Sequence, residues 1–257
     1  MRLRVDRYKL VSLAAVAAVA AAWVAASFGG WLNPDKLPPI QAMVAALTDL
    51  LRNGYGGVPF LHEIAASLYR ALTGFLLAVL AGVPFGIFIG SNRIAGAIFG
   101  PFLGFLRPIP PIALIPLFIF YFGIGEFSKV ALIFITAFWY VTLSAASGVR
   151  SVPRDLVLAG RSLGMGRRQI FFHVVLPASL PHILTGMRVA MALCWALVVA
   201  AELIAAQVGL GYMIMDATTF FRIPVVYIGV VAIGLIGLFL EGVLVAIEGR
   251  LLHWRGQ

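Results

Sequence analysis

Four ionisable side chains stand within or beside long apolar runs: Arg70, Arg107, Arg188 and Glu202. Charge at membrane depth is costly, and side chains that carry it there line a polar route or pair with one another. Three arginines in such surroundings are suited to holding an anion transiently, and Glu202 has the sign to neutralise one of them. Simpler roles stand beside this one. Arg70 is expected near the outer end of its run and Arg188 near the inner end of its own, where long side chains reach the interface. Arg107 precedes Pro108, Pro110 and Pro111. Prolines leave carbonyls without intrahelical donors, so this guanidinium either satisfies them or lines an anion path.

Bond-making chemistry finds no support. The chain has no G-x-x-x-x-G-K-[ST] phosphate loop, and its lysines (Lys9, Lys36 and Lys129) follow no such glycine pattern. His62, His173, His182 and His253 are scattered without paired metal spacing. No G-x-S-x-G elbow occurs. Cys194, the single cysteine, cannot close an intrachain disulfide. No catalytic residue, metal ligand or cofactor is assigned to the chain.

The elements that must position the four charges are membrane helices. The chain of 257 residues is 62% hydrophobic and 11% charged, with mean hydropathy +1.02. Soluble domains carry about 25% charged residues, so the solvent implied here is a bilayer. The net charge of +9 raises nucleic acid as a partner. The arginines, however, sit in short loops beside apolar runs, as topology signals do, and no nucleic-acid partner is expected.

Runs long enough to span cover 10–28, 65–90, 130–148, 183–206 and 225–247, and a shorter one covers 112–123. Extended back through the Pro-rich stretch from about Phe99, the short run completes six transmembrane helices in one all-α integral membrane domain, 1–257. The first run, 10–28, is too long for the apolar part of a leader and reads as an uncleaved helix; the core covers 60–250. With both termini inside, Arg2, Arg4, Arg7, Lys9, Arg93, Arg150, Arg154, Arg161, Arg167, Arg168, Arg250 and Arg255 face the cytoplasm. Only Lys36, Arg52, Lys129 and Arg222 then face outward, which is the positive-inside pattern. Between the first two spans, Ile40, Met43, Val44, Leu47, Leu50 and Leu51 recur at helical spacing between Pro39 and Gly54, which predicts a short amphipathic helix. Gly74, Ala78, Gly82, Gly86 and Gly90 make one smooth face, suited to close packing within the subunit, and Pro84 is expected to kink that helix.

The segment 149–182 is basic, Gly-punctuated and Pro-bounded. Ser151 is placed to cap a helix with Pro153 in its first turn. Gly164 and Gly166 allow a sharp turn. Arg167 and Arg168 open a second short helix that is expected to end at Leu176-Pro177, before Pro181 leads into the fifth span. Spacing alone leaves two readings: a docking hairpin, or an interfacial loop whose arginines meet anionic headgroups.

This segment resembles the EAA loop of ATP-binding-cassette importer permeases, E-A-A-x-x-x-G, nine residues, then I-x-L-P. Leu158-Ala159-Gly160 stands at the E-A-A positions, Gly164 at the motif glycine, and Val174-x-Leu176-Pro177 follows nine residues later. Leu158 replaces the motif glutamate. Ser67-Leu68-Tyr69-Arg70, Leu106-Arg107-Pro108-Ile109-Pro110-Pro111, Phe122-Gly123-Ile124-Gly125-Glu126 and Ala200-Ala201-Glu202 followed by Gly209-Leu210-Gly211 extend the likeness over residues 36 to 255. They resemble the nitrate/sulfonate/taurine/bicarbonate group, with aliphatic sulfonate or taurine permeases the nearest subgroup.

The resemblance implies a type I importer permease fold in the bacterial inner membrane. It also implies a second permease copy, two ATPase subunits that bind ATP and Mg, and an external solute-binding protein. Leu158, Ala159, Gly160, Arg161, Gly164, Met165, Gly166, Arg167, Arg168, Leu176 and Pro177 would form the coupling segment that enters the ATPases. The transported solute would be a small anion: a sulfonate or taurine first, nitrate or bicarbonate otherwise. A self-sufficient channel or ion-coupled carrier is the alternative, and it would have no need of the hairpin.

Overall fold

The computed structural model describes residues 7–30, 33 and 36–252. Arg2, Arg4, Arg255 and His253 lie outside the described residues, and only the backbone of Arg7 and Lys9 is described. The described elements are helical: α1 Arg7–Phe28, α2 Ile40–Asn53, α3 Phe60–Ser91, α4 Arg93–Leu106, α5 Ile115–Phe122 and α6 Glu126–Arg150. They continue with α7 Arg154–Ser162, α8 Arg167–Ile170, α9 Leu176–Ala205, α10 Leu210–Thr219 and α11 Ile223–Leu251. A 3-10 turn, Pro111–Leu114, precedes α5, and a π-helical turn, Phe171–Val175, joins α8 to α9.

By length and apolarity four helices suffice to cross a bilayer: α3, α6, the continuous helix Arg167–Ala205, and α11. The expected span running back to Phe99 is not straight. It breaks between α4 and α5, with Arg93–Leu106 and Pro111–Phe122 meeting at 87°, and counts as a fifth span only if the bent pair is taken together. Pro108, Pro110 and Pro111 supply no backbone N–H, so the helical ladder cannot pass through them. The described apolar part of α1 is Ala17–Phe28, shorter than the predicted run.

Contacts divide the chain into two units, residues 1–62 with 213–232, and 63–212 with 233–257. In the first unit the amphipathic α2 forms as its periodicity predicts. Gly54 ends it at φ +74°, a left-handed conformation natural to glycine, and its N–H bonds the Leu50 carbonyl. The Ser27 hydroxyl accepts the Ile40 N–H at 3.3 Å, joining α1 to α2. Tyr55 then donates to Asp216 at 2.6 Å, and the Arg222 guanidinium lies 5.7 Å over its ring.

The second unit is built on α6. The small-residue face of α3 packs on it within the subunit. A Cβ at Gly74 would meet Ile133 at 2.7 Å, one at Gly90 would meet the Ala146 carbonyl at 2.8 Å, and one at Gly86 would run into the Thr142 carbonyl. Pro84 lies inside one uninterrupted helix of 32 residues. The other face of α6 takes α9 equally closely: Gly148 faces His182 and Ser179, and Gly186 faces Ser144. Met191 is buried in this packing, whereas Phe120 and Tyr121 point outward.

Candidate functional site

The predicted hairpin is present, with changes at both ends. Its first helix, α7, starts after Pro153; Ser151 does not cap it, because its hydroxyl turns back to the Gly148 carbonyl at 2.9 Å. Leu176-Pro177 does not end the second helix. The chain stays helical from Arg167 to Ala205, with Pro181 inside α9. The π turn makes this possible: the Leu176 N–H bonds the Phe171 carbonyl five residues back, a wider loop that shifts the ladder just where Pro177 offers no donor.

The turn between the two helices is locked. Gly164 has φ +76°. Its N–H bonds the Arg161 carbonyl at 2.9 Å, and the Met165 N–H bonds the Gly160 carbonyl at 3.1 Å. This is a Schellman ending, which requires a left-handed residue where the motif glycine stands. Gly166, at an ordinary φ of −71°, precedes α8, and the Gln169 side chain accepts its N–H at 2.8 Å. Gly160 is the buried position of α7, facing Ile170, Met165 and Val174. Leu158, Ala159, Arg161, Leu163, Arg167 and Arg168 point outward, and Leu163 is 82% exposed. The hairpin thus presents apolar and cationic groups on a rigid backbone.

The four sequence-predicted charges fall in three places. Arg70 does not reach for the interface; it is 3% exposed and sits at the centre of an ion cluster. It grips Glu126 with two bonds, Nε to Oε2 at 2.6 Å and Nη2 to Oε1 at 2.8 Å. Its Nη1 donates to Glu202 Oε1 at 2.5 Å and to the Val208 carbonyl at 2.8 Å. Glu202, 1% exposed, uses its other oxygen for the Ser67 hydroxyl and the Gly211 N–H, both at 2.9 Å. Ser67 accepts the Leu210 N–H, and Glu63 accepts the Gly209 N–H.

Three successive N–H groups at the start of α10 therefore meet polar side chains, two of them carboxylates, where a helix favours negative charge. The glycines make room: a Cβ at Gly209 would strike the Glu202 carboxylate, and one at Gly211 would lie 2.7 Å from the Glu202 Cβ. Lys129 donates to Glu126 at 3.2 Å from the following turn. Glu63 was not singled out from sequence, Ser67 entered only through the Ser67-Leu68-Tyr69-Arg70 resemblance, and Lys129 only as an outward-facing charge. The spacing of Glu63, Ser67 and Arg70, four and then three residues, places them on one face of α3 and was the signal available.

Arg188 bonds two carboxylates of α11, Glu241 at 2.9 Å and Glu248 at 3.2 Å. Arg107 lies at the break after α4 and makes no side-chain bond to the proline-freed carbonyls among the described residues. It lines a cavity of about 460 Å³ with Tyr140, Ser144, Ser147, His182 and Thr185. The ion cluster and this cavity occupy opposite ends of α6. The 21 residues from Glu126 to Ser147 correspond to about 30 Å at the helical rise of 1.5 Å per residue.

Known proteins agree with this architecture. A chain of the inward-facing MetNI methionine ABC transporter has the same fold at a TM-score of 0.63; the match covers 74% of this chain and 95% of that one at 19% identity. The taurine transport system permease protein TauC of Escherichia coli (strain K12) is 37% identical over 98% of this chain and 92% of its own length. The putative aliphatic sulfonates transport permease protein SsuC of Bacillus subtilis (strain 168) is 34% identical over 94% of this chain and 86% of its own. Residues 82–253 match one family throughout. With its helical fold, its apolar spans and these relatives, the chain belongs to the binding-protein-dependent transport system inner membrane components, the permease subunits of ABC importers.

Proposed function

We propose that this permease conducts a small anion, a sulfonate such as taurine in the first place, and that the α7–α8 hairpin is where ATPase subunits drive it. The observation that carries the coupling reading is the hairpin itself: a rigid, outward-facing pair of helices with an exposed apolar tip and four exposed arginines, Arg154, Arg161, Arg167 and Arg168. The names of the relatives support the choice of a sulfonate, with nitrate or bicarbonate as the other candidates. Two copies form the pathway, an external solute-binding protein delivers the solute, and ATP with Mg is bound by the two ATPase subunits. We place both termini in the cytoplasm, on the distribution of Lys and Arg, and take α1 and the bent α4–α5 pair as two of six spans.

Mechanically, closure of the docked ATPases draws the two hairpins together. The helix running from Arg167 to Ala205 carries that displacement into the bundle, and packed interfaces convert it into one of two discrete arrangements. Selectivity rests mostly with the binding protein, so the pathway itself needs only weak contacts.

The test is co-purification with an ATPase subunit, followed by Gly164→Trp. The wild-type chain is expected to retain the ATPase and support growth on taurine as sole sulfur source, and the variant to lose both. Solute uptake that continues without ATP hydrolysis would instead identify a self-sufficient channel or carrier.

A further inference from the structure

We infer that the cavity lined by Arg107, Tyr140, Ser144, Ser147, His182 and Thr185 is an oxyanion-holding vestibule on the transport path. The inference deepens the anion-importer reading and rests on it for the class of solute. Hydroxyls on membrane helices ordinarily satisfy themselves by bonding a carbonyl three or four residues back, as Thr136, Thr185 and Ser179 do here at 2.8–2.9 Å. Tyr140, Ser144, Ser147, His182 and Arg107 do not. Among the described residues none of these five side chains makes a hydrogen bond or ion pair, and all five converge on one cavity. Unsatisfied polar groups at membrane depth are costly unless they meet water or a polar solute.

The donor set has the chemistry of an oxyanion site. Arg107 supplies a fixed positive charge with several N–H donors. Tyr140, Ser144 and Ser147 supply hydroxyl donors at separations of four, three and seven residues, along one face of α6. Among the described residues no acidic side chain lines the cavity. Its volume of about 460 Å³ falls within the ~300–1,000 Å³ usual for small-molecule sites. The close approach of Gly186 to Ser144 lies within its lining, and that of Gly148 to His182 adjoins it, so α6 and α9 meet at short range beside the cavity. The vestibule also lies at the hairpin end of α6 and α9, where displacement of the hairpin reaches it first.

The experiment uses the full permease in complex with its ATPase subunits in lipid nanodiscs. The only cysteine, Cys194, is buried and is replaced by alanine. Ser147→Cys, Ser144→Cys and the outward-facing Leu235→Cys are introduced one at a time and treated with a water-soluble, sulfonate-bearing methanethiosulfonate.

Ser147→Cys is expected to react about tenfold or more faster than Leu235→Cys, because a thiol reacts as thiolate where water reaches it. Taurine, ethanesulfonate or nitrate should slow that labelling. Arg107→Gln should raise the concentration needed for protection by about tenfold or more, as loss of a charged hydrogen-bond donor does, while Arg107→Lys should largely retain it. Elution of each variant as the assembled complex separates these effects from misfolding. Equal labelling of Ser147→Cys and Leu235→Cys, no protection by any of the three anions, or protection unaltered in Arg107→Gln would each overturn the inference. ATP-driven import by the wild type without protection overturns the vestibule alone. Protection without ATP-driven import overturns the importer reading and leaves the vestibule standing.

Discussion

The ion cluster sets one arginine against two carboxylates of very different burial, and the difference fixes the sizes of three substitutions. Arg70→Met strands Glu202, which is 1% exposed. An uncompensated buried charge costs about 3–5 kcal/mol. The bonds Glu202 keeps, from Ser67 and the Gly211 N–H, place the loss toward the lower end of that range. Glu202→Gln removes the charge and keeps the shape. Donors face both oxygens, however, Arg70 on one side and Ser67 with Gly211 on the other, so the new amide must point its NH₂ at a donor. That conflict costs about 1–3 kcal/mol.

Glu126→Gln disturbs a side chain that is 53% exposed, where ion pairs are worth about 0–1 kcal/mol. The order of loss is therefore Arg70→Met, then Glu202→Gln, then Glu126→Gln. Thermal unfolding of the purified permease in one fixed detergent reads it. At roughly 2–4 °C per kcal/mol for a chain of this size, Arg70→Met should melt about 10 °C lower and Glu126→Gln almost at the wild-type temperature. Adding Glu202→Met to Arg70→Met should recover most of the loss, since a well-packed apolar pair replaces an ion pair nearly neutrally. Equal losses for Glu126→Gln and Glu202→Gln, or a double variant no better than Arg70→Met, would refute the reasoning.

Gly164→Ala should lower coupled uptake and local stability, because a left-handed conformation costs a side chain about 1–2 kcal/mol, whereas Gly166→Ala at an ordinary φ should leave both near wild type; uptake by a whole-cell assay with a labelled sulfonate compares them. Gly86→Leu should prevent close packing of α3 on α6 and abolish the folded permease, read as loss of the monodisperse peak on gel filtration, while Gly104→Leu, where a Cβ would meet nothing within 4 Å, should elute normally. Arg161→Glu with Arg168→Glu should weaken ATPase retention in a pull-down more at low salt than at high salt, as exposed charges on a docking face require.

Sequence periodicity made the long helices legible because apolarity and length are enough for a bilayer span. Helix α2 was legible from its Pro start, Gly stop and six apolar positions. The hairpin was legible because Gly164 and Gly166 allow a sharp turn between short helices, though only coordinates show that Gly164 alone takes the left-handed φ. Two features were hidden. The break at Arg107–Pro110 was marked by prolines, but composition does not tell a kinked span from a chain bent by 87°. The π turn leaves no periodic trace, and prolines that read as a stop were absorbed by it. The ion cluster was half visible: charges in apolar runs announced Arg70 and Glu202, but their pairing spans 132 residues of sequence. Glu63 and Ser67, on the same face of α3 as Arg70, were visible in principle. The pairing of Arg188 with Glu241 and Glu248 needed coordinates, since those partners lie 53 and 60 residues along the chain.

The π turn at Phe171–Val175 holds one residue more than an ordinary helical turn would use. Excising a single residue there would restore a regular spiral and swing everything upstream, including the arginine-bearing tip, by about 100° around the helix axis. The aim of that tip relative to the bundle is thus stored in a one-residue surplus. Insertion or deletion at this spot would retune that rotation while leaving the sequence of the spans unchanged.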